Sequence, residues 1–302
     1  MGSALCQIMT KGRRSFILLM LGPAALLYIV FVLWPMAEAF RLSLYHWSGL
    51  SSSKVWVGFD NYRALATEQP PELLIGLTHN LRYLLVSALV VLPLALFFAV
   101  VLSAKTKAAG FYRSVYLFPN VISIVAVASL WYFIYDRDSG LLNGALKFVG
   151  LGALQRTWLG EPATALNAII ATGIWTSLGF YILLFSAGVQ SIPPSFLEAA
   201  GLDGASSWQQ FRHVTLPLVW EVFKLGVLYL IIHSLNVFGL VWVMNHNNAN
   251  SDTDVLLTLL YQKGFVEYEF GRAAAVASVG FVVILGAILF AMRFLKRETV
   301  EY

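Results

Sequence analysis

The sequence contains little of what soluble proteins are built from. Charged residues make up 12% of its 302 residues and hydrophobic residues 59%, which is typical of a polytopic membrane protein. Cysteine occurs once, at Cys6, which excludes an intrachain disulfide and a metal site built from cysteines. A G-x-x-x-x-G-K-[ST] phosphate loop is missing as well, so any nucleotide hydrolysis of that type must take place in another subunit.

Six apolar runs are present instead, each close to the length that crosses roughly 30 Å of hydrocarbon as a helix. They cover residues 15–40, 80–103, 115–135, 164–189, 217–244 and 273–293. None alternates as a barrel strand would, so we predict an all-α polytopic membrane protein with six transmembrane helices in a single domain over residues 1–302.

The first run resembles a signal peptide in its basic flank and in Ala37-Glu38-Ala39. Its apolar core of about 19 residues is longer than the roughly 7 to 15 of a signal core, so we interpret it as a retained span.

Basic residues predict the orientation of these spans. They flank the first run, fill the tight second connection and follow the last run, at Lys11, Arg13, Arg14, Lys105, Lys107, Arg113, Arg293, Lys296 and Arg297. Because cytoplasmic loops are enriched in Lys and Arg, we predict that both termini and the connection between spans four and five face the cytoplasm.

The connection between spans four and five, residues 190–216, is unusually polar for this chain. Ser195 with Glu198 has the spacing of a capping box, and Gly201 is placed to end the short helix in a left-handed conformation. A second helix start follows at Ser206 with Gln209, or at Ser207 with Gln210, and Pro217 suits the start of the next span.

Two interpretations of this connection remain open on composition alone. Ala199, Ala200 and Gly204 leave a surface of low bulk that would pack into a groove of another protein. Trp208, Phe211 and Arg212 would equally suit a helix lying among lipid headgroups.

The spacing of seven residues in this connection carries a resemblance. Glu198-Ala199-Ala200, Gly204, Val214 and Leu216-Pro217 match E-A-A-x3-G-x9-[IV]-x-L-P without a gap. The match resembles the cytoplasmic EAA loop of permease subunits in binding-protein-dependent ABC importers. Segments such as "VGFDNYRAL" (57–65) and "YEFGRAAAVAS" (268–278) look like the sugar-permease branch, similar to the maltose and glycerol-3-phosphate permeases. "MNHNNANSDTD" (244–254) departs from the glycine-rich turn that many relatives carry there.

The resemblance implies a permease subunit of the cytoplasmic membrane, without catalytic residues, metal or cofactor of its own. It implies a second homologous permease, an ATPase dimer that binds ATP and Mg, an extracytoplasmic solute-binding protein, and a sugar or oligosaccharide as solute. The residues it assigns to coupling with the ATPase are Glu198, Ala199, Ala200, Gly201, Asp203, Gly204, Leu216 and Pro217.

Polar residues inside the apolar runs are candidates for the solute path, because such groups are unfavourable against lipid. They are Asn120, Ser123, Thr176, Ser177, Ser234 and Asn236, with His233 beside them. Alignment with the maltose permease places most of them at or next to its sugar contacts. The simpler alternative is that Ser, Thr and Asn hydrogen-bond between helices. Trp175 and Phe238 would stack on a sugar ring, or merely pack.

The remaining charges predict structural roles. Glu221 and Lys224 have the spacing of a pair on one helix face, and Arg41, His46, Asp252, Asp254, Glu267 and Glu269 are interpreted as solvated charges. Alternative functions are import of a polyol phosphate such as glycerol-3-phosphate, or a stand-alone secondary transporter. The latter would need intramembrane carboxylates, which are found only near the ends of spans, at Glu38 and Glu221.

Overall fold

The computed structural model describes residues 16–17, 19–51, 53–103, 109–247 and 250–296. Among the residues used to predict orientation, Lys11, Arg13, Arg14, Lys105, Lys107 and Arg297 lie outside these ranges, as do residues 15 and 18 of the first apolar run. The described chain is mainly helical, with one antiparallel hairpin of two short strands, β1 (Tyr45–His46) and β2 (Val55–Trp56).

The helices follow one another along the chain, with the longest connections before α2, α7 and α12. They are α1 (Leu19–Leu42), α2 (Asp60–Thr67), α3 (Glu72–Ser103), α4 (Ala109–Val121), α5 (Ile124–Ile134), α6 (Leu141–Phe148), α7 (Ala165–Gln190), α8 (Pro194–Leu202), α9 (Ser207–Leu218), α10 (Trp220–Leu235), α11 (Gly239–Met244), α12 (Leu256–Tyr261) and α13 (Phe270–Phe294). Short π-helical turns at Ile29–Leu33 and Phe211–Thr215 lie within α1 and α9, and a third at Gln262–Val266 extends α12.

Four helices, α1, α3, α7 and α13, are long and apolar enough to cross a membrane unaided. Two further pairs meet the criterion only when each bent pair counts as one span: α9 with α10, bent by 70°, and Ser114–Val121 with α5, bent by 103°. The described chain therefore has four to six candidate spans.

The expectation of one continuous helix over 115–135, and of another over 217–244, is wrong. The first run breaks after Val121, where Ser123 adopts an extended conformation with ψ of 134°. The second breaks after Leu235, where Phe238 has φ of −138°. Since α10 alone is about 24 Å long, it falls short of the roughly 30 Å of hydrocarbon that a span must cross.

The helices α3 and α7 form the centre of the bundle. Their contact buries Val91, Ala95, Tyr181 and Phe185 completely. Gly179 of α7 lets α4 approach closely, because a Cβ there would lie 1.9 Å from the carbonyl oxygen of Tyr116. The packing of α4 against α7 thus depends on the missing side chain of one glycine.

Two ends of the bundle can be distinguished by α7. Residues 191–218, here called the EAA segment, follow its C-terminus and mark the EAA end. Its N-terminus at Ala165 lies at the far end, together with α6, α12 and the hairpin.

Charges at the far end are more buried than expected. Lys263, of which 4% is exposed, pairs with Glu72 at 2.7 Å and with Glu267 at 2.9 Å. Asp254 Oδ1 is also buried. Glu269 pairs with Arg272 at 3.3 Å. The interpretation of Asp254 and Glu269 as solvated charges is therefore wrong, because each has a buried carboxylate oxygen. Glu267 is paired but remains exposed, as expected.

Candidate transport cavity and EAA segment

A cavity of about 460 Å³ lies within the bundle, where the helix breaks face α7. We call it the central cavity. It is lined by Tyr83, Pro119, Asn120, Ile122, Ile124, Gly173, Thr176, Ser177, Tyr229, Ile232, His233, Asn236, Val237, Phe238, Gly239 and Leu240. Both broken segments, near Ser123 and near Asn236, contribute to this lining. Irregular backbone at membrane depth is tolerated where it is buried in protein or lines a watery space.

Asn120, Thr176, Ser177 and Asn236, all expected on the solute path, line the central cavity together with His233. Asn120 Nδ2 donates to the carbonyl oxygen of Thr176 over a long 3.5 Å. The hydroxyl groups of Thr176 and Ser177 donate to carbonyls of their own helix. The Asn236 amide donates to the carbonyl of Ile232.

Two other candidates for the path are placed elsewhere. Ser234 is fully buried and is not among the lining residues, and neither is Ser123, which precedes the first turn of α5. Trp175 packs edge-on against Trp131 with ring centroids 5.4 Å apart, outside the lining, whereas Phe238 does line the cavity.

The lining is mostly apolar, with a few amide, hydroxyl and imidazole groups, and it carries no Asp, Glu, Lys or Arg. Its wall is shaped by a glycine, since a Cβ at Gly173 would lie 1.8 Å from the hydroxyl of Tyr83. The cavity therefore offers amide, hydroxyl and imidazole groups, together with the rings of Tyr229 and Phe238, to a solute.

Asn80, which sequence reasoning missed, is buried beside this region and links three helices. Its Nδ2 donates to the carbonyl of Ser234 at 3.1 Å, and its Oδ1 accepts from the N–H of Leu256 at 2.8 Å. The available signal was an amide at the edge of an apolar run, since such groups need partners.

The EAA segment folds as two helices joined by a tight turn. The predicted cap at Ser195 is wrong: α8 begins at Pro194 after an N-cap at Pro193, without a side-chain capping bond. Proline at the first helical position has no N–H that a cap would need to satisfy, and the φ angle fixed by its ring already suits a helix. Ser195 and Glu198 lie within α8, and Glu198 and Ala199 are exposed.

The helix α8 ends at Leu202 and is terminated by Gly204, not by the predicted Gly201. Gly204 has φ of 79°. Its N–H donates to Gly201 O at 3.0 Å, and the N–H of Ala205 donates to Ala200 O at 2.9 Å. These are the two bonds of a Schellman motif with Asp203 as C-cap, so Gly201 stays helical because the helix extends to Leu202.

The second helix begins as one of the two predicted starts. Ser206 Oγ accepts from the N–H of Gln209 at 3.4 Å, and Gln209 Oε1 accepts from the N–H of Ser206 at 2.7 Å, which completes a capping box. The alternative start at Ser207 is thereby excluded.

Pro217 lies inside α9 and does not start a span. Because proline has no N–H, the backbone upstream of it is displaced into a π-helical turn, in which the N–H of Leu216 bonds to Phe211 O. The direction changes by 70° at the buried Val219, where α10 follows. The predicted pair of Lys224 and Glu221 is confirmed at 2.5 Å, just beyond this bend.

Most of the EAA segment is exposed. Leu202 at the tip is 90% exposed and Trp208 is 65% exposed. The base of the segment is less exposed: Ile192 and Thr215 are buried, and Phe211 and Leu216 pack against the core formed by α3 and α7. The segment therefore presents apolar and charged side chains on a locally rigid turn while its base is fixed to the bundle.

Comparison with known proteins defines the family. The family described as binding-protein-dependent transport system inner membrane component matches residues 91–297. The chain belongs to this family. The resemblance to permease subunits of binding-protein-dependent ABC importers is thus confirmed, and the chain is a multi-pass membrane permease component of an ABC importer.

The relatives match along nearly their whole length. The probable ABC transporter permease protein YurN of Bacillus subtilis is 35% identical over 90% of this chain and 93% of its own. The trehalose/maltose transport system permease protein MalF of Thermococcus litoralis is 29% identical, covering 88% and 89%. The sn-glycerol-3-phosphate permease protein UgpA of Agrobacterium fabrum is 27% identical, covering 93% and 94%.

Solved structures show the same fold. A chain of a bacterial ABC transporter involved in the import of the acidic polysaccharide alginate superposes with a TM-score of 0.81 at 24% identity, over 97% of this chain and all of that one. The alginate transporter in complex with a pentasaccharide-bound periplasmic protein gives 0.79, also at 24% identity.

Proposed function

We propose that this chain forms one half of the pathway of an ATP-driven importer for a neutral sugar or oligosaccharide. A second homologous permease completes the pathway, and an ATPase dimer binds ATP and Mg at the EAA end. A solute-binding protein delivers the sugar at the far end. The EAA end and both termini then face the cytoplasm. Relatives named for trehalose and maltose, and the alginate complex with its periplasmic protein, support this arrangement.

One observation carries the proposal: both helix breaks face the same central cavity. A buried sugar needs hydrogen bonds for its hydroxyl groups, and Asn120, Thr176 and Asn236 offer such groups. The volume of about 460 Å³ lies within the range of small-molecule sites.

The EAA segment is proposed to convert ATPase motion into movement of the bundle. The Schellman turn and the capping box satisfy the backbone of the turn at Gly204, so the two helices would move together. A push on the exposed tip is then passed through α9 and the bend at Val219 to α10, whose last turn lines the central cavity. Glu198 and Asp203 would contact the ATPase.

The lining disfavours the two rival functions. A phosphate ester is usually bound by Arg or Lys, and the lining contains neither, so that only the N-termini of α5 and α11, at Ile124 and Gly239, could face an anion there. A proton- or ion-coupled transporter acting alone would place carboxylates on the path, and the lining contains none.

The test is purification of the tagged chain from its native membrane, followed by reconstitution in liposomes. We expect an ATPase and a second permease to co-purify. With the cognate binding protein on the side of the far end, the assembly should transport a neutral disaccharide only when ATP is present on the side of the membrane that the EAA segment faces. Uptake by this chain alone, or driven by a proton gradient without ATP, would refute the proposal.

A further inference from the structure

A second cavity, of about 300 Å³, lies at the far end of the bundle. It is lined by Tyr132, Tyr135, Asp136, Arg137, Thr157, Leu159, Gly160, Met244, Asn245, His246 and Asn250. The helices α5 and α11 run from one cavity to the other, with Ile124 and Gly239 at the central cavity and Tyr132 and Met244 at the far one. Packed side chains, including Ala128 and Val241, lie between the two cavities.

The backbone at one wall of this far cavity is held in an unusual conformation. His246 has φ of 57°, in the left-handed region that glycine adopts most easily. Its imidazole packs edge-on against the ring of Tyr132, with centroids 4.5 Å apart. Such residues cluster at binding sites, where the surrounding structure maintains the strain. This turn is the segment that departs from the glycine-rich pattern.

A fixed carboxylate and a guanidinium lie at the opposite wall. Asp136 Oδ1 accepts hydrogen bonds from the N–H of Ser139 at 2.8 Å, from its hydroxyl at 2.7 Å and from the N–H of Asp138 at 3.1 Å. These bonds, above all the one from the Ser139 backbone, hold the pKa of Asp136 below its ordinary value, so the group stays ionised. Within the described chain, neither the guanidinium of Arg137 nor the imidazole of His246 has a hydrogen-bond partner.

We propose that this far cavity is a second saccharide-binding site, which holds the solute before it enters the central cavity. The inference rests on the proposed function. Tyr132 and His246 offer flat rings for the C–H face of a sugar. Asp136 accepts from hydroxyl groups, whereas Arg137 donates to them. The charges of Asp136 and Arg137 balance, so the site has no net charge that would attract an anionic solute, and it takes neutral saccharides in preference.

Two variants remove these groups without removing the turn that supports them. Asp136→Asn keeps an oxygen for the N–H groups of residues 138 and 139 and loses the charge. His246→Gly removes the ring and relieves the left-handed backbone, so the thermal midpoint should stay equal or rise. Arg156→Gln is the matched control, because Arg156 lies outside the far cavity and faces Glu161 at 3.8 Å.

The experiment uses the complete transporter in liposomes. Maltose, trehalose and chitobiose are tested for uptake, and a photoreactive diazirine derivative of each transported sugar is then crosslinked to the complex. We expect label in peptides containing residues 132–137 or 245–247. It should fall about tenfold in Asp136→Asn and His246→Gly, which corresponds to about 1.4 kcal/mol, and stay unchanged in Arg156→Gln. A derivative of a glucuronic acid disaccharide should label these peptides about tenfold less.

The outcomes separate the two proposals. If none of the sugars is taken up, the proposed function and this inference both fail. If uptake occurs but label appears only in peptides around residues 120 and 236, this inference alone fails. Equal labelling by the glucuronate probe would refute the neutral class. Weaker binding of the solute-binding protein to both variants, with sugar labelling unchanged, would make the surface a protein-docking site instead.

Discussion

The charged side chains at the two ends of the bundle differ in how many of them form ion pairs within the chain. At the far end the buried Lys263 pairs with the partly exposed Glu72 and Glu267, and Arg272 pairs with Glu68 at 2.8 Å and with Glu269. In the described part of the EAA segment, Glu198, Asp203 and Arg212 form no ion pair with one another or with the rest of the described chain, and all three are exposed. Around α12 and α13 the far end pairs its charges internally, whereas the EAA segment, like Arg137 in the far cavity, leaves its charges available to a partner.

Lys263→Met should produce the largest loss of stability, because it leaves Glu72 and Glu267 facing each other without a cation. Breaking a fully buried pair costs roughly 3–5 kcal/mol. We expect about 2 kcal/mol here, since both carboxylates are partly exposed. Thermal unfolding of the purified complex measures it. The control Lys147→Met, on the exposed part of α6, should leave the midpoint unchanged; a similar drop in both would remove the contrast between buried and exposed lysines.

The pKa of Lys263 is also raised overall in the folded protein. Desolvation on its own lowers the value, but the hydrogen bonds and charges of Glu72 and Glu267 outweigh it. A raised lysine pKa means that the stabilisation is complete below the unfolded-state pKa and is lost only in strongly alkaline solution.

Gly204→Ala, at the EAA end, should reduce uptake while leaving the stability of the protein nearly unchanged. A side chain in the left-handed region costs about 1–2 kcal/mol, which distorts a turn that is exposed and distant from the core. We expect uptake to fall roughly five- to thirtyfold while ATP hydrolysis and the thermal midpoint change little. Gly201→Ala is the matched control. Gly201 is helical, and the nearest atom to a Cβ there is Gln210 Nε2 at 3.8 Å. Normal uptake by Gly204→Ala would contradict the assigned role of this turn.

Asn236→Ala should weaken binding of the solute in the central cavity, which lies between the two ends of the bundle. Loss of one cavity amide is expected to raise the KM for uptake about tenfold, or by about 1.4 kcal/mol. Ser234→Ala, two residues away but fully buried and outside the lining, should leave KM unchanged. Equal changes in both variants would show that the effect comes from helix packing.

Asp254→Asn should give the smallest change in stability, and this change should appear only when the pH rises through about 6. Burial raises the pKa of Asp254 to about 6. A raised carboxyl pKa favours the folded state fully below about pH 4, and this contribution is lost as pH rises through about 6. The variant, which cannot ionise, should therefore be more stable than the wild type by about 1 kcal/mol near pH 8 and equal near pH 4. Equal midpoints at both values would contradict the buried environment of this carboxyl.

Local rules recovered much of the EAA segment from the sequence. The capping box at Ser206 needs only residues 206–209. The helix ending failed by three positions, because Gly201 and Gly204 are both plausible ends and the choice depends on where the backbone bonds close. Uninterrupted apolar runs also gave the limits of α7 closely, at 164–189 against Ala165–Gln190.

Features that depend on distant residues were not predictable. The hydrophobic runs continue across Ser123 and Asn236, so nothing in their composition marks the breaks, which are stabilised by packing around the central cavity. Lys263 meets Glu72 across nearly two hundred residues of sequence. Ser234 and Asn236 have the same chemical character as path residues, and only the rotation of α10 decides which of the two reaches the cavity.

The central claim is that the exposed tip of the EAA segment docks onto an ATPase. Leu202, 90% exposed at this tip, is the position for a single introduced cysteine, Leu202→Cys, in a chain whose Cys6 is replaced by Ser. The account predicts a disulfide crosslink to a cysteine placed in the docking cleft of the co-purified ATPase, with a yield that changes when ATP is added. Modification of Leu202→Cys only by lipid-soluble reagents, with no crosslink to the ATPase in any nucleotide state, would contradict it.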